Sequence, residues 1–130
     1  GYHAYATVLT RENIMPGIQN MVAHFKRDES RHIAYGIFLL SRLVAEHGDQ
    51  VWETIDRRIN DLLEPSLSVI FEAFACYGTE IPFGLDVQEF ASFATEQFQR
   101  RLMRIMKARQ QSLKDIFDDA EIEEEIVAVV

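Results

Sequence analysis

Pro16-Gly17-Ile18-Gln19-Asn20-Met21-Val22-Ala23-His24-Phe25-Lys26-Arg27-Asp28-Glu29-Ser30-Arg31-His32-Ile33-Ala34-Tyr35-Gly36-Ile37-Phe38-Leu39-Leu40-Ser41-Arg42-Leu43-Val44-Ala45-Glu46-His47 is the stretch that sets the fold class. Proline suits the first turn of a helix, where its missing N–H costs nothing, and Gly48 suits the position just past a helix end. No second proline interrupts the run, and its apolar residues recur at helical rather than alternating spacing. One helix of about 32 residues, roughly 48 Å long, is therefore expected from Pro16 to His47. The fold class that follows is all-α.

The flanking segments agree. Tyr2, Tyr5, Ala6 and Leu9 form a stripe on a first helix that reaches about Asn13. Asp49 can cap a third helix carrying Val51, Trp52, Ile55, Ile59, Leu62 and Leu63, and the pattern resumes after Pro65, which should kink or divide it before Gly78. Asp86-Val87-Gln88-Glu89 has the form of a capping box and predicts a fourth helix to about Arg109, with Phe90, Phe93, Ala94, Phe98, Leu102, Ile105 and Met106 on its apolar face. Residues 112–130 combine dense acid with an apolar end and are expected to be a disordered tail.

The 130 residues carry a formal net charge of −8, but residues 1–114 hold 14 acids and 13 bases, and residues 115–130 hold seven acids and no base. The acidity belongs to the tail. A near-neutral body gives no electrostatic footing for nucleic acid, and no apolar run approaches the roughly 20 residues of a membrane span. One cysteine, Cys76, excludes an intramolecular disulfide framework, so a reducing cytoplasmic location is expected; Cys76 itself is expected to be a small buried hydrophobe. Gly1-Tyr2-His3 has no initiator Met, no signal-peptide pattern and no capping residue, so the chain is expected to begin within an element. A compact domain of this length is roughly 35 Å across, shorter than the Pro16–His47 helix. Either that helix breaks or the bundle is incomplete.

Within it, Glu29 and His32 lie one turn apart on one face, where a carboxylate oxygen and an imidazole nitrogen can converge on a metal ion; Gly36, a further turn on, leaves space above them. Spacing alone also fits a surface Glu beside a hydrogen-bonded His, since a chain of this composition yields about 0.4 Glu-x-x-His matches by chance. The shared stripe with Phe25, Gly36, Leu39 and Leu43 points the pair inward, and a buried carboxylate needs compensation that a metal ion can supply. Asp28 is placed to orient an imidazole from a neighbouring helix. One Glu and one His are at most two of the eight or more ligand positions of a dinuclear site.

Arg27-Asp28-Glu29-Ser30-Arg31-His32 resembles the Asp-Glu-x-x-His segment of ribonucleotide reductase small subunits. The wider run, from Gly1-Tyr2-His3-Ala4-Tyr5 through Met15-Pro16-Gly17 to His32-Ile33-Ala34-Tyr35-Gly36, with Glu72-Ala73-Phe74-Ala75-Cys76-Tyr77-Gly78 and Ile81-Pro82-Phe83, resembles the small-subunit-like ligand-binding oxidases more closely. The resemblance implies that residues 1–111 are the C-terminal part of a ferritin-like helical bundle with a dinuclear manganese and iron centre, or di-iron, that activates dioxygen. It also implies a long-chain fatty-acid-like ligand and a homodimer. Carried over by position, Glu29 and His32 are metal ligands and Asp28 stands behind them; no residue is assigned as catalytic. The family's first carboxylate and first Glu-x-x-His have no match here, and the remaining carboxylate would fall a few residues before Gly1, which places Tyr2 near the ligand pocket together with Gly36.

Two other readings stay open. A ribonucleotide reductase small subunit would make an oxidising equivalent for a large subunit and dock through its C-terminal peptide, but no aromatic residue follows Phe117. A non-catalytic helical fragment or interaction module would leave the metal site incomplete. His3 and His24 read as ordinary helix histidines, and His47 as a favourable charge at a helix end. The phenylalanines of residues 90–98 read as core or subunit interface. Arg100, Arg101, Arg104, Lys107 and Arg109 read as a solvated face that could attract the acidic tail.

Overall fold

The computed structural model describes residues 2–120, with side chains from residue 6 onward. Every regular element among them is helical: α1 (Tyr2–Arg11), α2 (Pro16–His47), α3 (Asp49–Ala75) and α4 (Val87–Lys107), with short 3-10 turns at Pro82–Gly84 and Ala108–Gln110. Residues 113–120 are also helical.

The punctuation works as its chemistry demands. Asn13 and Met15 take left-handed backbone angles (φ 50° and 51°), so the chain reverses between α1 and α2, and Pro16 then occupies the first turn of α2. The Gln19 side chain closes that turn by donating to the carbonyls of Leu9 (3.0 Å) and Ile14 (2.9 Å). Gly48, at φ 72°, ends α2 by donating its N–H to the Val44 carbonyl. Asp86 caps α4 by accepting from the Glu89 N–H at 2.8 Å.

Two expectations fail, and one of two alternatives is removed. Gly48, not Asp49, is the cap of α3, and the Asp49 carboxylate instead accepts from Arg109 at 2.7 Å. Of the alternatives at Pro65, a kink or a division, the division does not occur, and α3 continues to Ala75 with Pro65 inside it. Residues 113–120, expected within the disordered tail, form a helix whose start is held by reciprocal Ser112–Asp115 hydrogen bonds at 2.8 to 3.3 Å. Residues 121–130 lie outside the described residues.

Burial concentrates at one end of α2. Val44, Ile105, Ala108 and Ile116 form the core, with Ile37, Phe38, Leu40, Ala45, Val51, Trp52 and Ile55 packed against it. Phe117 meets Phe38 edge-on at 5.4 Å, so segment 113–120 belongs to this cluster. At the other end of α2, Val22 is buried, as are Val8 and Leu9 on the packed neighbour α1. Between the two ends every residue from 23 to 32 is exposed. The accessible surface is 9662 Å², where a compact monomer of 15.0 kDa has about 7,000 Å². Of the two outcomes expected for so long a helix, α2 does not break; its middle stands clear of the core.

Candidate metal centre

α2 carries all three polar residues of the expected site, within the exposed stretch 23–32. His32 Nδ1 lies 3.1 Å from Glu29 Oε2, one turn below it, so the helix does bring the two donors together. Two ligands about 2.1 Å from one ion and at right angles to each other stand about 3.0 Å apart. The observed separation is that of a hydrogen bond between an exposed carboxylate and an exposed imidazole, as the plain surface reading expects, and the same one-turn spacing keeps an oxygen and a nitrogen donor within reach of one divalent transition metal. The pair fits as half of a site.

The surroundings do not follow the sequence expectation. The face does not point inward: the side chains of Glu29 and His32 are 51% and 79% exposed. No buried charge awaits compensation, because water solvates both groups. Among the described residues Asp28 reaches no imidazole; it pairs with Arg31 of its own helix at 3.7 Å, while Arg27 lies 3.5 Å from His24. Such exposed pairs are weak and exchange readily for better partners. Among the described residues no three His, Cys, Asp or Glu side chains converge as a metal site would require.

No family model matches the chain.

The expected ligand pocket has a similar standing. A Cβ built at Gly36 meets nothing within 4 Å, so the space above the half-site is open rather than enclosed. The Tyr2 side chain lies outside the described residues. A cavity of about 90 Å³ does exist, lined by Ile37, Phe38, Ser41, Arg104 and Ile116 among others, but it lies beyond the half-site toward the core. Its volume admits a few waters and not a long acyl chain.

Two groups outside the expected site draw attention. Arg109 donates to Asp49 and lies over the Trp52 ring, 5.9 Å from its centroid, locking the start of α3 to the end of α4. Lys107 reaches Asp119 at 4.0 Å, so the basic face of α4 does meet the beginning of the acidic segment. The signal for that segment was present as Ser112-Leu113-Lys114-Asp115, a capping-box pattern with Asp in the last position. Cys76, expected to be buried, is exposed and donates to the Ala73 carbonyl. Among the described residues no helix is long and apolar enough to cross a membrane.

Proposed function

We propose that the chain supplies one Glu/His half-site of a dinuclear manganese and iron oxidase that activates dioxygen, of the kind the small-subunit-like ligand-binding oxidases represent. The 3.1 Å approach of Glu29 Oε2 to His32 Nδ1 on one face of α2 is the observation that supports this reading. Bound there, manganese and iron would supply the redox and Lewis-acid chemistry.

The chain's own residues have simpler tasks. Glu29 offers a carboxylate and brings negative charge to the ion. His32 offers the ring nitrogen nearest that carboxylate, which leaves its other nitrogen to be fixed by a neighbour. Asp28, released from Arg31, would accept an imidazole N–H from a facing helix. Gly36 keeps the approach to the ions clear of side chain. A dinuclear centre needs further carboxylates and another histidine, and these must come from helices laid on the exposed middle of α2. A long-chain fatty-acid-like ligand would lie in the space those helices close.

Metal analysis and dioxygen uptake test the reading. With the helices that carry the remaining ligands in place, protein loaded anaerobically with Mn(II) and Fe(II) should retain both and consume dioxygen on mixing, and His32→Ala should lose metal at one position. Retention of both metals by His32→Ala would remove the ligand assignment. An absence of bound metal in the unaltered protein would favour the helical interaction module instead, a reading supported by the solvent exposure of the pair.

A further inference from the structure

The cavity between α2, α4 and segment 113–120 holds polar chemistry that the packing leaves unused. Ser41 lies in its wall and is only 6% exposed. Ser30, Thr54, Ser66 and Thr95 donate their hydroxyls to the carbonyl one turn back, which satisfies each within its own helix. Ser41 makes no such bond among the described residues. Nor does any fully enclosed side-chain nitrogen or oxygen among them lack a partner, so the Ser41 hydroxyl must open on the cavity itself. Lys107 stands at the same cavity, its ammonium 4.0 Å from Asp119, which is close enough for attraction and too far for a hydrogen bond. The Asp119 carboxylate is hydrogen-bonded instead by Gln111, at 3.0 Å.

We propose that this cavity binds a small monocarboxylate, acetate or propionate in size, whose oxygens take the Ser41 hydroxyl and the Lys107 ammonium while its alkyl end rests on Phe38 and Ile116. Charge, size and the apolar wall select that class. Arg104 and Lys107 line the cavity with a single acid, Asp119, which favours one negative charge; Arg104 has an interaction of its own and is not needed as a ligand. A volume of about 90 Å³ equals that of roughly three waters at ~30 Å³ each, enough for a carboxylate with one or two further carbons. Water against Phe38 and Ile116 finds no hydrogen-bond partner there, and phosphate would turn oxygens to the same wall, whereas an alkyl group gains by the contact.

Glu29 and His32 take no part, so the proposal stands apart from the half-site and from any metal. A ligand of so few atoms binds weakly, with Kd on the order of millimolar. Because the cavity wall combines α2, α4 and segment 113–120, an occupant fastens that segment to the helices beneath it.

Titration of the 130-residue chain with sodium propionate, followed by NMR of the backbone amides against sodium chloride at equal ionic strength, tests this. Propionate should produce saturable shifts at Ser41, Lys107 and Gln111, and chloride should not. Ser41→Ala and Lys107→Gln should each weaken binding about tenfold, as loss of a hydrogen bond to a charged group does, with unchanged helical circular dichroism. If Ser41→Ala alters the fold, Lys107→Gln decides, since its side chain is exposed. Absence of saturable shifts, equal shifts with chloride, or unchanged affinity in the folded variants would overturn the site. Hexanoate bound as well as propionate would place the ligand outside the cavity and overturn it too. Phosphate bound as well as propionate, with the same dependence on Ser41, would overturn the choice of a carboxylate.

Discussion

Arg109 Nε donates to Asp49 Oδ1 across 2.7 Å, joining the first residue of α3 to the turn that ends α4, sixty positions away. The contact holds the Asp49 carboxyl below its ordinary pKa, first through the hydrogen bond and then through the guanidinium charge, and it raises the pKa of Arg109 in return. A carboxylate whose folded-state pKa is depressed contributes stability above its unfolded value, and the contribution is lost as pH falls through the folded value. Stability from this pair should therefore be complete at neutral pH and vanish only below the usual carboxylate range. Titration of the Asp49 carboxyl by NMR should show the low midpoint, and Arg109→Met should return it to the ordinary value. Both groups are exposed, so added salt should shrink the difference.

Segment 113–120 joins the core through Ile116, with Phe117 against Phe38 beside it. Ile116 is 5% exposed, and Ile116→Ala should cost about 2 to 4 kcal/mol in urea unfolding, through lost burial and the cavity left behind. Asp118→Ala, on the exposed side of the same segment, should change stability by less than about 0.5 kcal/mol. Equal effects of the two would mean that the segment does not dock as described.

The two acidic residues read as caps should behave differently. Asp86→Ala removes the acceptor of the Glu89 N–H and should cost about 1 kcal/mol, whereas Asp86→Asn should retain most of that. The Asp49 side chain makes no cap hydrogen bond, so Asp49→Asn should act through Arg109 and its effect should vanish in an Arg109→Met background. A double-mutant cycle on Asp49 and Arg109 measures this.

Pro65 lies inside α3 and can donate no N–H to the ladder. Replacing it by Ala restores a donor and removes the ring's clash with the preceding turn, so Pro65→Ala should raise the unfolding midpoint, by up to about 3 kcal/mol. A fall in stability would show that the proline's shape is needed to bring Phe74 to Phe90, whose rings lie 5.6 Å apart.

Local chemistry was legible wherever it is settled within a few residues. Pro16, Gly48 and Asp86 act within one turn of chain, and so α2 starts and stops where they predict and α4 receives its cap. Glu29 and His32 meet because i and i+3 are neighbours on any helix. The capping box at Ser112 was equally local, but the acidic composition around it outweighed it, since charge density describes how a free segment is solvated and not whether Ile116 finds a core.

The order of the helices, the bounds of α2 and the nearness of Glu29 to His32 follow from the sequence alone, because backbone hydrogen bonding and side-chain periodicity are decided along the chain; that α2 runs unbroken between those bounds only the structure decided. Tertiary structure decided which faces of those helices are covered. The stripe through Phe25, Glu29, His32 and Leu39 has the spacing of a buried face, yet burial depends on what is packed against it, and among the described residues those from 23 to 32 stay exposed between α1 and the Val44 core. For the same reason Asp49 became the partner of Arg109 rather than a cap. Periodicity states which residues share a face; only packing states what that face meets.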